Sequence, residues 1–330
     1  MPITTTEIAR ICNVSRGTVD RALNGRGGIN PQTRSLILKT AEAYGYVPHL
    51  LASSLATGKT HSIGIIVFDL NSRHFSQLVS SVQQTLSPKG IFPYICITDK
   101  KQELERTLVK DLISRKVDGM IIAPISQDPA FSDMLAKWGK PVVTVNNLLS
   151  DDFAFVGGNG NEAVYAGMDH FYTHGYREVY FICPPYRRLG QENLFAQTDR
   201  VTGFNRFLKE HADMCGSLIA QKTYLSEIFE IVPKKKRPVG FFCSSDHYAL
   251  QIYKEARNRG FSIPRDFGLM GFDGIDTLDY LDKRITTIFY PAEKIGRLSA
   301  ECLYDMISHD AAPKRMIVEC PIIPGDTIGQ

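Results

Sequence analysis

Thr4-Thr-Thr-Glu-Ile-Ala-Arg-Ile-Cys-Asn-Val-Ser-Arg-Gly-Thr-Val-Asp-Arg-Ala-Leu-Asn24 reads as two short helices around a tight turn, a helix-turn-helix of the kind that reads DNA. The hydroxyls of Thr4 to Thr6 can accept from orphan backbone N–H groups, and Glu7 puts a negative charge in the first turn, where the helix dipole favours it. Ile8, Ala9 and Ile11 offer an apolar face, Asn13 stands at the turn, and Ser15 suits the cap of a second helix. At about 100° per residue, Ser15, Val19, Ala22 and Leu23 fall on one side of that helix, with Arg16, Gly17, Asp20 and Arg21 on the other. The first set is expected to pack and the second to face outward. Asn30-Pro31 caps and opens a third helix, whose Leu36, Ile37, Thr40 and Ala41 would close a small core.

Charge points the same way. Residues 1–60 carry seven basic side chains against three acidic ones, a net +4, and the remaining 31 basic and 32 acidic residues give −1. The release of counterions from nucleic-acid phosphates rewards such a concentration of positive charge.

Residues 3–60 resemble the DNA-binding headpiece of the lactose-repressor (LacI/GalR) family. The stretches that carry the likeness are Thr5-Thr-Glu-Ile-Ala9, Val14-Ser-Arg-Gly-Thr-Val-Asp-Arg-Ala-Leu-Asn24, Tyr44-Gly-Tyr-Val-Pro48 and Ala52-Ser-Ser-Leu-Ala-Thr-Gly-Lys59. The resemblance implies base reading by Arg16, Gly17 and Arg21, and backbone positioning by Ser15, Thr18, Asn24 and Thr33, with Thr5 in the same DNA-facing set. Gly17 has no side chain, so Arg16 and Arg21 should discriminate most, through bidentate bonds to guanine O6 and N7. Asp20 replaces a more usual serine; pairing with Arg16, accepting from a cytosine amine and repelling phosphates are three open readings.

Pro48 closes this first domain, residues 1–48. His49-Leu-Leu-Ala-Ser-Ser-Leu-Ala56 has helical spacing but only about two turns, too short to stand alone in water. By the resemblance, residues 49–60 form a hinge helix and linker, paired across a homodimer in the minor groove, with Leu55 wedging a base step. A pseudo-palindromic operator is then expected.

From Ser62 onward the chain changes character. Strand-length apolar runs (Ser62–Phe68, Phe92–Thr98, Gly119–Ala123, Val142–Asn146, Ala154–Gly157, Glu178–Cys183, Val239–Ser244, Phe267–Phe272 and Ile285–Phe289) alternate with amphipathic helical stretches. Such alternation argues for parallel α/β sheets, and some 270 residues are enough for two doubly wound lobes. The expected division is residues 61–159 and 291–318 in one lobe, 160–290 and 319–330 in the other. Open parallel sheets bind ligands beyond the carboxyl ends of their strands. Asp69, Asn146, Ser245, Asp246 and Asp273 stand there, and carboxylates with an amide and a hydroxyl suit a sugar or polyol.

The likeness extends over residues 62–327 to the family's periplasmic-binding-protein-like core. Asp69-Leu-Asn-Ser-Arg-His-Phe75, Asp199-Arg-Val-Thr-Gly-Phe204 and Gly271-Phe-Asp-Gly-Ile275 carry it. It implies that His74 and Phe75 line an effector cleft, that Arg200 and Asp273 clamp the ligand, and that Asp69, Asn146 and Ser245 add polar contacts. This chain departs from the family at Asn146 and Ser245, where aspartate and asparagine are common, and at Arg73-His74, which replaces a Pro-Phe pair. Trp138, the only tryptophan, is read as core, which leaves stacking to Phe75 or to residues 186–195.

Other classes fare worse. Gly158-Asn-Gly-Asn-Glu-Ala163 formally matches a dinucleotide fingerprint, but the acid expected to end the next strand is Glu178, which begins it. Seven cysteines, each at least eighteen positions from the next, form no C-x-x-C or metal set. Neither cofactor nor metal is expected. No apolar run follows Met1, so the reading expects no secretory signal, no membrane span and a cytoplasmic protein. The ending soon after the last strand argues against a tetramerising heptad tail. The reading is therefore a dimeric, effector-controlled repressor of a sugar or related catabolic operon. The alternatives are a sugar- or nucleoside-modifying enzyme, or a solute-binding protein, on the same two-lobed fold.

Overall fold

The computed structural model describes residues 3–46, 58–71, 73–183, 193–235 and 238–329. The hinge-helix expectation, Leu55 included, and most of the 186–195 segment lie outside the described residues. The chain divides into two compact units, Met1–Thr60 and His61–Gln330.

The first unit contains helices α1 (Thr5–Ile11), α2 (Arg16–Leu23) and α3 (Pro31–Ala43). Thr4 and Glu7 form a reciprocal capping box, with Glu7 Oε2 accepting the Thr4 N–H at 2.8 Å. Asn13 takes a left-handed φ of 51° at the turn. Ser15 caps α2 by accepting from the Thr18 N–H at 3.1 Å, and Asn30 caps α3 ahead of Pro31. Ile8, Val19 and Ile37 are fully buried at the centre, ringed by Ala9, Cys12, Ala22 and Ala41. Three expected packing residues are corrected. Ser15 is exposed as a cap, and Ile11 and Leu36 are 45% and 51% exposed; Cys12 fills the place read for Ile11 and bonds Thr40 through its thiol.

The second unit runs β1 (Ser62–Val67), α4 (Arg73–Leu86), β2 (Phe92–Ile97), α5 (Gln102–Ser114), β3 (Met120–Ile122), α6 (Pro129–Trp138), β4 (Val142–Val145), β5 (Ala154–Gly158) and α7 (Gly160–Thr173). It continues through β6 (Glu178–Ile182), α8 (Phe195–Glu210), β7 (Cys215–Ile219), α9 (Tyr224–Ile231), β8 (Val239–Cys243), α10 (Asp246–Asn258) and β9 (Phe267–Asp273). Last come β10 (Thr286–Phe289), α11 (Ala292–His309), β11 (Arg315–Val318) and β12 (Ile322–Ile323).

Two six-stranded sheets result, ordered β2-β1-β3-β4-β5-β11 and β7-β6-β8-β9-β10-β12, with every pairing parallel except β10 with β12. Each is a doubly wound lobe whose order reverses at its first strand, β1 or β6, the place where such sheets receive ligands. The central strands β1, β3, β4 and β8 are buried along their length, as sheets covered on both faces require. The expected run of strands omits β7, β11 and β12. Trp138 is partly buried against the core cluster under β3 and β4.

The chain crosses between the lobes after β5, β10 and β11. Here the Gly158-Asn-Gly160 run finds its physical reason. A Cβ on Gly158 would lie 2.6 Å from Cys320 Sγ and from the Tyr290 ring, and one on Gly160 2.8 Å from Asp199 Oδ2. Gly158 lets the crossing segments touch, and Gly160 lets the start of α7 meet α8.

Candidate functional site

On the headpiece, α2 shows Arg16, Gly17, Asp20 and Arg21 to solvent, and Asn24 at its end is exposed as well. Thr5, Thr18 and Thr33 are half-buried at the margins of the helices. Of the three readings of Asp20, pairing with Arg16 is not the one that the described residues show. Its Oδ1 accepts from Asn24 Nδ2 at 2.9 Å and its Oδ2 stands 3.6 Å from an Arg26 guanidinium nitrogen. Both groups are more than half exposed, so this pair is worth little energy, yet it ties the end of α2 to the following turn.

In the core unit a cleft of about 810 Å³ opens beyond the carboxyl ends of the strands of both sheets. Its wall includes Asp69, His74, Phe75 and Asn146 from the first lobe, and Arg200, Ser245 and Asp273 from the second. Seven of the eight expected effector residues thus meet in one cavity, within the size range usual for small-molecule sites. Arg200 donates to the Ser244 carbonyl at 2.6 Å, and its guanidinium lies 3.6 Å from the centre of the Phe272 ring. Ser245 accepts from the His247 N–H as cap of α10 and donates to Asp273 Oδ2 at 2.9 Å. Asn146 and Asp273 both hold positive φ, 62° and 119°, at the ends of β4 and β9. Such strain in side-chain-bearing residues gathers where a site must be held in a set shape.

Burial sets the charges. It pushes the His74 imidazole down to about 4, against the opposing effect of its Asn146 bond, so the ring is neutral near pH 7. His74 Nε2 lies 3.1 Å from Asn146 Oδ1 and 3.0 Å from its Nδ2, while its buried Nδ1 meets no partner among the described residues. Gln197 Oε1, also on the cleft wall, is buried and unpartnered too. Burial raises Asp273 to about 6, although Arg200 and Ser245 pull the other way. Two residues of one cavity wall thus each keep a buried polar atom without a partner among the described residues.

Asp246 is the expected site residue that the structure does not bring to the cleft. It is fully buried beneath the wall, where Oδ2 accepts the Gly274 and Ile275 N–H groups at 2.7 and 2.9 Å and Oδ1 accepts the Thr287 hydroxyl at 2.6 Å. It pins the loop after Asp273 rather than offering itself to a ligand. Phe75 is 5% exposed and packs edge-on against Phe68, so it supports the wall more than it offers a stacking face.

Sequence reasoning missed an amide pair. Asn147 donates to the Pro124 and Asn193 carbonyls at 3.0 and 3.2 Å and accepts from the Ala196 N–H at 3.1 Å, linking the first lobe to the start of α8 in the second. Standing next to Asn146, it could have been flagged by the same strand-end rule.

A model of the periplasmic binding protein-like domain matches residues 168–328. The chain is 28% identical to the NTD biosynthesis operon regulator NtdR of Bacillus subtilis, over 96% of each chain. It superposes with a TM-score of 0.70, at 25% identity, on a periplasmic binding protein/LacI transcriptional regulator from Alkaliphilus metalliredigens QYMF complexed with D-xylulofuranose, covering 82% of this chain and all of that one. The lac repressor dimer bound to operator and the anti-inducer ONPF gives a TM-score of 0.86 at 18% identity over the whole of both chains, a likeness of fold.

Proposed function

We propose that the chain is a member of the LacI/GalR family of transcriptional regulators and an effector-controlled repressor of a sugar or related catabolic operon, binding a pseudo-palindromic operator as a homodimer in the cytoplasm. The observation that carries the reading is the convergence of His74, Asn146, Arg200, Ser245 and Asp273 from two lobes on one cleft, in a chain whose separate headpiece shows Arg16 and Arg21 to solvent.

In this reading Arg16 and Arg21 read base edges, while Thr5, Ser15, Thr18, Asn24 and Thr33 position the backbone. Residues 49–60 form the hinge, with Leu55 as the wedge. A sugar or polyol bridges the lobes, because neutral His74, the Asn146 amide and the Arg200–Asp273 pair offer both donors and acceptors. Closure of the cleft changes the relation of the lobes and, through the dimer, the spacing of the headpieces. The edge strand β2 supports association, since Phe92, Tyr94, Ile95 and Ile97 are all exposed on it. The cleft is read as binding its metabolite without turnover.

Selection of duplexes from a random pool, with thermal-shift screening of sugars, polyols and nucleosides, tests the proposal. A two-fold-related half-site pattern should emerge, and a hit should stabilise the protein but neither Arg200→Ala nor Asp273→Ala. A homodimer that enriches no sequence at any ligand occupancy would refute it.

A further inference from the structure

The clamp in the cleft and the crossings between the lobes share one side chain, Tyr290, which follows β10 where the chain leaves the second lobe. The residue is 6% exposed. Its hydroxyl donates to Asn146 Oδ1 at 3.1 Å and accepts from the Gly158 N–H at 3.1 Å. Its backbone N–H donates to the Asp273 carbonyl at 3.0 Å. Its ring meets His74 edge-on at 4.8 Å and lies 6.2 Å from the Phe272 ring, on which Arg200 rests.

Cleft residues from both lobes therefore touch Tyr290, which is also bonded to the strand that makes the first crossing. Burial holds the phenol proton well above its ordinary range, so the single hydroxyl proton stays on Tyr290 and goes to Asn146.

We infer that Tyr290 is the positioning residue that couples the polar groups of the cleft to the geometry of the lobe crossings. A ligand that bonds Asn146 competes for the oxygen that Tyr290 uses. The hydroxyl must then turn or move, and the Gly158 N–H that it receives moves with it. The ring and the crossing strand are in contact, because the Gly158 Cβ position lies 2.6 Å from Tyr290 Cε2. In a close-packed junction a shift of one displaces the other.

The test rests on the operator-binding reading for its DNA arm only. Tyr290→Phe keeps the ring and removes the hydroxyl. In the full chain without sugar, the Gly158 amide should exchange with deuterium about tenfold faster, as loss of one hydrogen bond implies, with β3 and β4 unchanged. Affinity for a duplex selected by the wild type should shift by about fivefold or more. Asn146→Gly, which removes the acceptor at a φ of 62° that glycine adopts freely, should reproduce both effects, the double variant should add nothing further, and Asn146→Asp, which keeps an acceptor for the hydroxyl, should retain protection.

Unchanged exchange in Tyr290→Phe, additive effects, or faster exchange with unaltered DNA affinity would each overturn the inference. If the wild type selects no duplex, the operator reading fails, and the exchange data alone decide whether Tyr290 holds the crossing.

Discussion

Asp246→Asn should change how stability depends on pH, because the carboxyl it replaces is fully buried and raised from its ordinary 3.8 to about 7. Burial is the main cause and the charge of Asp273 the second. Between pH 4 and 7 the unfolded chain has released this proton while the native protein keeps it, so native stability falls as pH rises through that window. A shift of about three units corresponds to ~4 kcal/mol, fully lost above pH 7. Asparagine fits the same bonds, its oxygen accepting from Gly274 and Ile275 and its amide donating to Thr287, without a charge to desolvate. His74 contributes with the opposite sign. Its imidazole, held near 4, gives stability that is present above the unfolded value of 6.5 and lost as pH falls toward 4. Asp273 acts in the same direction as Asp246. His74 is common to the two proteins and cancels, whereas the charges of Asp246 and Asp273 act on each other, so the difference between variant and wild type reads the two carboxyls together. Urea unfolding at pH 4 to 8, followed by circular dichroism and by the fluorescence of Trp138, should show Asp246→Asn gaining on the wild type by ~4 kcal/mol across the range. Parallel stability curves would refute the reasoning.

Arg21→Ala should lower affinity for the selected operator by ~1–3 kcal/mol and relax preference at one base pair, leaving random duplex nearly untouched, as gel-shift titration would show; equal losses on both would mean a phosphate contact. Ile95→Glu puts a charge on the exposed edge of β2 and should weaken the homodimer by about tenfold or more in sedimentation equilibrium, the cost of desolvating a carboxylate in an apolar interface. Unchanged association would move the interface elsewhere. Gly203→Ala would place a Cβ 2.2 Å from the Asn161 carbonyl oxygen, where α8 crosses the start of α7. Overpacking against backbone should cost ~1–3 kcal/mol in urea unfolding, and an unaltered midpoint would show that the helices can part there.

Local signals were the legible ones. Thr4 with Glu7, Ser15, and Asn30 with Pro31 each cap or open a helix through bonds that span at most three residues, so the sequence contains both partners. The phase of a short helix is less secure. α1 has seven residues, and its buried set Ile8, Ala9 and Cys12 differs from the expected Ile8, Ala9 and Ile11 by a single position at one end. The one that turns inward, Cys12, meets Thr40 on α3, a contact 28 positions away that the local sequence does not announce. β7 escaped because Cys215-Gly-Ser217 lacks the branched and aromatic residues that mark strands, and as an edge strand it is only partly buried. It is held by pairing with β6, which its own sequence does not announce.

The site shows where strand-end reasoning stops. Being polar and following a buried strand correctly picked Asp69, Asn146, Ser245 and Asp273 as cleft residues, because parallel α/β topology brings those ends to one side. The rule does not say which way a carboxylate turns. Ser245 and Asp246 are consecutive, yet one caps α10 at the cleft wall while the other points beneath it to backbone N–H groups 28 and 29 residues further along. Tyr290 is less visible still. Nothing in Phe289-Tyr-Pro291 marks it, and its partners His74, Asn146, Gly158 and Asp273 come from four separate segments that meet only after both sheets and their crossings have formed. Asp20 follows the same logic at smaller scale. Its position on α2 suggested Arg16 as its partner within the chain, while the end of the helix and the turn after it supplied Asn24 and Arg26 instead. A cleft residue is therefore legible when topology alone sets its place, and hidden when a side-chain partner from another segment decides its orientation.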